Sequence, residues 1–452
     1  VRRSLLGSLV VLAVAVGPSG ADAPEGVAAL AAQVSAERLE RDVRALAAFG
    51  TRHTASETVS TTRGIGAARR FLEARMKEIA GKGPARTEVQ EFRTPPSPRL
   101  KAATEVVNVL LVVPGAEPTC RARTYVVSGH YDSRATDVRD AAVDAPGAND
   151  DASGTAAVLE LARILAASPR RATVVLACVG GEEQGLLGSR ELAKRLQEAG
   201  TRVEGMLTND IVGNTRGPDG ARHADHVRLF SEGLPSGENE VTRKTRLSMG
   251  GESDGPSRQL ARFVRGAVAE GLPAFRVRLV FRPDRFLRGG DHLPFNEAGF
   301  AAARFTEPVE DFDRQHQDVR TEGGRAYGDV PDAVDYAYLA DVTRANLVAL
   351  AALADGPGSP RNARIQTATL EHASTLTWDA VEEDGVAGYE VVWRDTTAPD
   401  WEHAKDAGTA TKATVDVSKD DVHFGVRAYD RAGRRSPVSY PFPGKVSDTK
   451  RN

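Results

Sequence analysis

Two adjacent carboxylates, Glu182 and Glu183, close the stretch "VVLACVGGEEQGLLGS" directly after an apolar run from Val174 to Val179. Other acids and imidazoles stand in comparable places. His130 and Asp132 leave an apolar run in "SGHYDS", Asp150 and Asp151 precede a helical pattern in "PGANDDASG", and Asp210 ends a run in "GMLTNDIVG". An isolated buried carboxylate is costly unless it is paired or bound to a cation. None of these motifs carries Lys or Arg, so their convergence asks for a metal.

Carboxylate oxygen with imidazole nitrogen, and no thiolate, suits Zn²⁺ or a similar divalent ion. Two such ions sharing one bridging carboxylate need about five protein ligands and leave room for a water between them. His130, Asp150, Glu183 and Asp210 supply four; "GGDHLPF" and "DFDRQHQDVRT" offer His292 and His316 for the fifth. Taken alone, the glutamate pair reads as a solvated loop before a helix, where acids are favourable. The remaining acids and His130 reverse that reading. "HADH", with His223 and His226, lies among Gly, Pro and Asp and reads as a surface loop. His53 reads as lining a domain edge.

The elements that must position these groups alternate along the chain. From Ser35 to Gly81 the apolar spacing is helical. Strand-like runs then alternate with helical ones: "EVVNVLLVV", "RTYVVSGHYDS", "SGTAAVLELARILAAS", "ATVVLACV", "LLGSRELAKRLQEAG" and "GMLTNDIVG". "FRVRLVF" and "GFAAARFTEP" continue the strand theme, and a long amphipathic helix closes it in "AVDYAYLADVTRANLVALAAL". The pattern predicts an α/β fold, a three-layer αβα sandwich around a mostly parallel mixed sheet, over residues 25–356. Ligands in such folds gather at the carboxyl ends of the strands.

A Gly/Pro linker, 357–363, separates this part from 364–446, where short alternating strands without helices predict a small all-β sandwich. Trp378, Tyr389 and "VRAYDRAGRRSPVS" there resemble a fibronectin type III domain. Such a module is expected to bind a protein or carbohydrate surface. His372, His403 and His423 fall in this segment without a ligand constellation.

Composition excludes some classes. A net charge of −3 leaves no basic excess for a phosphate backbone, so nucleic acid is not expected as a partner. Arg2 and Arg3 before the apolar run Leu5 to Val16, then small residues to Ala23, predict a signal peptide over 1–24 and export, secreted or periplasmic, without stable membrane insertion. Two cysteines, Cys120 and Cys178, rule out a disulfide framework.

The ordered motifs "GHYDS", "PGANDDASG", "GGEEQGLLGS", "TNDIVG", "GGDHLPF" and the later His316 resemble the secreted co-catalytic zinc aminopeptidases, clan MH metallopeptidases related to glutamate carboxypeptidases and glutaminyl cyclases. The resemblance implies two Zn²⁺ per chain, with Asp150 bridging them. His130 and Asp210 would complete one site, Glu183 and His316 the other, leaving His292 structural. Glu182 would be the general base and bind no metal. Asp132 would orient the His130 imidazole, and Asp151 and Asp291 would support the site from behind. A cis peptide bond is implied after Asp150. The activity implied is that of an exopeptidase acting on peptides, an aminopeptidase before others. "NDDASG" looks more like the peptidases than the cyclases, whereas Arg282, Arg285 and Arg288 keep a carboxypeptidase open. A non-catalytic binding protein is the alternative from a different class.

Overall fold

The computed structural model describes residues 26–217 and 219–444, so the signal peptide read over 1–24 lies outside the described residues. One eight-stranded sheet organises the larger part. Its strands are β1 (Arg86–Thr94), β2 (Thr104–Val113), β3 (Arg123–His130), β4 (Thr173–Val179), β5 (Arg202–Asn209), β6 (His226–Ser231), β7 (Arg276–Val280) and β8 (Ala302–Thr306). The spatial order is β1-β2-β4-β3-β5-β8-β6-β7. The four central strands β4, β3, β5 and β8 run parallel, while β1 and β2 on one side and β6 on the other join antiparallel.

The central strands are apolar throughout because both faces are covered. Val109, Leu111 and Val113 of β2 point into one core and Leu110 and Val112 into the other. The first core is closed by α1 (Val27–Ala32), α2 (Ala36–Ala47), α3 (Gly64–Ala80), α4 (Ser153–Ala167), α7 (Pro256–Gly271) and α9 (Tyr336–Asp355); the second by α5 (Leu187–Glu198) and α8 (His292–Glu297). The remaining helix, α6 (Glu240–Ser248), packs outside both. This is the mostly parallel αβα sandwich expected.

One helix differs from its sequence reading. α9 is not amphipathic but buried nearly all round, from Tyr338 to Asp355. It has the length and apolar composition of a membrane span, yet 78% of its apolar window is buried inside the protein. A helix apolar on every side belongs to an interior.

A hairpin of β9 (Arg320–Glu322) and β10 (Arg325–Tyr327) follows the big sheet's last strand. Beyond α9 come two small sheets, β15-β12-β11-β17 and β14-β13-β16. They comprise β11 (Arg364–Gln366), β12 (Ser374–Thr377), β13 (Val386–Asp395), β14 (His403–Gly408), β15 (Lys412–Val415), β16 (Val422–Asp430) and β17 (Phe442–Gly444). Trp378 and Tyr389 meet edge to face between them, with ring centroids 5.6 Å apart. Buried ion pairs fasten this unit to the α/β part: Arg394 to Asp254 at 2.7 Å and Arg123 to Glu383 at 3.2 Å. Cys120 and Cys178 are both free and buried.

Candidate metal centre

The four parallel strands deliver their carboxyl ends to one place. His130 is the last residue of β3, Glu182 and Glu183 lie just past β4, and Asp210 follows β5 directly. Asp150 and Asp151 come from the loop before α4, and His316 from the loop after β8. The structure therefore gathers all five residues read as ligands, together with Glu182.

Asp150 stands at the centre. Its Oδ1 is 3.1 Å from His130 Nε2 and its Oδ2 is 2.9 Å from His316 Nε2. His316 Nε2 also lies 3.1 Å from Glu183 Oε1, and His130 Nε2 lies 3.9 Å from Asp210 Oδ1. Two clusters result, each with ligand atoms within 4.8 Å of one another: Asp150, Glu183 and His316; and His130, Asp210 and Glu182. Glu182 thus adjoins the second cluster and opens onto a cleft of about 610 Å³.

Several supports hold these groups. Asp132 accepts the backbone N–H of Glu182 with Oδ1 and that of Glu183 with Oδ2, each at 3.1 Å. The His130 ring nitrogen Nδ1 faces the Asp132 carbonyl at 3.2 Å, with the carboxylate farther, at 3.6 Å. Asp151 accepts from the N–H groups of His130, Gly154 and Ile211, tying the end of β3, the first turn of α4 and the loop after β5 together. Gly154 must lack a side chain, because a Cβ there would sit 2.3 Å from Asn209 O and 2.6 Å from the Asp151 carboxylate. The Asp150–Asp151 peptide bond is cis, as the resemblance implied. Of the five non-glycine residues with positive φ among the described residues, four adjoin this site: Leu186, Ile211, Leu287 and His316. That backbone state costs about 1–2 kcal/mol per residue. His316 (φ 55°) carries the imidazole whose Nε2 meets Asp150 and Glu183.

The electrostatics follow from burial and pairing. Burial opposes ionisation of Asp150, yet the His130 and His316 imidazoles beside its two oxygens hold its carboxyl well below the usual range. Against the same cost, Glu183 and Asp150 push His316 up to about 10, and Asp132, Asp150 and Asp210 raise His130. Burial raises Glu182 well above an ordinary glutamate, helped by Asp210, Glu183 and Asp291. It also pushes Asp291 up to about 7, and neither Asp291 oxygen has a hydrogen-bond partner.

The donor set suits a divalent cation. Buried His130 Nε2 and Glu183 Oε1 lack any hydrogen-bond partner, and the cluster combines oxygen with imidazole nitrogen. A cation would replace the protons that the acids draw onto the two imidazoles.

Some functional neighbours escaped the sequence reading. Although the motifs contain no cation, Arg304 of β8 reaches in: its Nη2 is 2.9 Å from Asp210 Oδ1 and its Nη1 3.1 Å from Asp284 Oδ2. Asp284 shares Arg304 with Asp210 and is also paired with Arg285 at 3.1 Å, and among the described residues no arginine or lysine forms an ion pair with Asp150, Glu183 or His316. An arginine inside the five-residue strand "AARFT" was the available signal. Asp329 is a second omission: it accepts from the N–H groups of Asn149 and Asp150. Gln315 donates to Asp150 Oδ2 at 3.3 Å.

The other histidines stay out. His292 binds the Pro283 carbonyl at 2.7 Å. His53 is buried rather than at an edge, with Nε2 donating to Val138 O. His226 opens β6 instead of lying in a loop, and its ring faces Asp225.

Acids and imidazoles gathered at the carboxyl edge of a doubly covered, mostly parallel sheet define the class: an α/β protein with a paired candidate metal centre. Residues 108–352 match peptidase family M28. A probable zinc metalloprotease of Leptosphaeria maculans is 47% identical over 422 residues, 93% of this chain and 97% of that one. Another, from Pyrenophora tritici-repentis, is 45% identical over 420 residues, covering 92% and 86%. The chain belongs to peptidase family M28. Two solved structures share its fold at low identity: an Aneurinibacillus aminopeptidase (TM-score 0.50, 17% identity, 72% of this chain and 95% of that one) and a Macrostomum lignano glutaminyl cyclase (TM-score 0.50, 14%, 74% and 94%).

Proposed function

We propose that this chain is an exported zinc exopeptidase that removes N-terminal residues from peptides, with two zinc ions per chain. The observation that carries the reading is Asp150, whose two oxygens each face a different imidazole. His130 and Asp210 would hold one ion, Glu183 and His316 the other, and Asp150 both. Zinc bound there supplies a Lewis acid that polarises a carbonyl and acidifies water.

The residues of the chain do the rest. Glu182 takes a proton from the attacking water as its oxygen joins the peptide carbonyl carbon, and returns it to the amine nitrogen as the C–N bond breaks. Asp132 keeps Glu182 and Glu183 diverging by fixing their backbone N–H groups. The zinc metalloprotease names of relatives up to 47% identical, and the aminopeptidase sharing the fold, support the reading.

A second reading, recognition of a substrate carboxylate, is favoured by arginines along the same cleft. Arg285 and Arg288 are engaged by Glu310, but among the described residues Arg99 and Arg134 donate only to backbone carbonyls. Matched short peptides, free at one end and blocked at the other, separate the two. Chelator-sensitive release from the free amino end is the expected result; release from the carboxyl end alone, or release indifferent to chelator, overturns it. Two zincs per chain are expected, whereas one would favour a cyclase. Export is checked by the N-terminal sequence of protein recovered outside the cell.

A further inference from the structure

The two clusters differ in one respect that their ligand types do not show. Asp210 Oδ1, the oxygen nearest His130, is also the oxygen that Arg304 contacts at 2.9 Å. Arg304 is wholly buried, so no solvent screens its charge from this carboxylate. Its other arm is fixed by Asp284 at 3.1 Å and by the Gly289 carbonyl at 2.8 Å. No arginine or lysine pairs with Asp150, Glu183 or His316 among the described residues; Arg99 reaches only the Glu183 backbone carbonyl.

A cation seated between His130 and Asp210 must therefore share its carboxylate donor with a guanidinium. A cation held by Asp150, Glu183 and His316 meets no such competitor. Resting on the two-zinc reading, we infer that Arg304 is a positioning residue that withdraws part of the Asp210 charge and makes the His130–Asp210 position the weaker, exchangeable one of the two. Partners behind a metal ligand commonly change affinity by about 10–100-fold, and the predicted gap between the two positions is at least about tenfold.

Asp284 provides an internal control of opposite sign. It shares Arg304 with Asp210, so neutralising Asp284 removes the carboxylate that competes with Asp210 for the guanidinium.

The test is competitive titration of Zn²⁺ against a chromophoric chelator, using the metal-stripped full chain, with Co²⁺ absorption as a second probe. Wild type is expected to fill one tight position and then a weaker one. R304M should tighten the weaker position about tenfold and leave the tight one unchanged, while R304K, which keeps the charge, should stay near wild type. D284N should weaken the second position further, a shift that remains informative if R304M does not fold. Two equal affinities in wild type, or R304M and D284N moving the weaker position in the same direction, would overturn the role of Arg304 while leaving the two-zinc reading intact. Failure of wild type to bind any Zn²⁺ would overturn both.

Discussion

Asp132 Oδ2 accepts the Glu183 backbone N–H at 3.1 Å, and its Oδ1 does the same for Glu182. One buried carboxylate thereby fixes the turn on which both glutamates stand. Asp132→Ala should lower zinc affinity or turnover by about 10–100-fold, and Asp132→Asn, which keeps one acceptor, should lose less. Metal content and kcat of the two variants check this; equal, wild-type values for both would remove Asp132 from that role.

Glu182 is the proposed proton carrier, and its carboxylate stands within 4.8 Å of ligand atoms of His130 and Asp210. Glu182→Gln is expected to keep zinc content and melting temperature while kcat falls about 10²–10⁴-fold. A variant that loses its zinc would instead make Glu182 a ligand.

Without metal, the imidazoles link stability to pH. His316, raised to about 10 by Glu183 and Asp150 against its burial cost, holds its proton more tightly folded than unfolded, where about 6.5 is usual. Its contribution is fully present below about pH 6.5 and is lost as pH rises towards 10. The melting temperature of chelator-stripped protein should fall across that window, and that of zinc-loaded protein should not fall with it. Parallel curves would sink the prediction.

Arg123 and Glu383 form an ion pair with both side chains almost fully buried, where the small β unit meets the sheet. Glu383 also accepts from the Gly358 N–H in the connecting segment. Glu383→Ala strands the guanidinium and should destabilise the chain by about 3–5 kcal/mol. Denaturant unfolding gives the figure, and a change under 1 kcal/mol, roughly that of an exposed pair, would refute it.

The central strands were legible because helices cover both faces, so their sequences carry unbroken apolar runs with polar residues marking the exits. β1 was not legible: as a half-exposed edge strand, "RTEVQEFRT", it shows few apolar residues. α9 was legible as a helix but not as a buried one, since burial on every side depends on what packs around it.

The sequence by itself determined the donor chemistry, because residue type fixes what His130, Asp150, Glu182, Glu183, Asp210 and His316 can bind or accept, and strand exits fix where His130, Glu182, Glu183 and Asp210 stand. Only the tertiary structure decided that each Asp150 oxygen meets a different imidazole, that Asp132 serves the glutamate backbone, and that Arg304 reaches Asp210. Those contacts join segments tens to hundreds of residues apart, and their geometry is set by sheet order and packing, which no local pattern encodes.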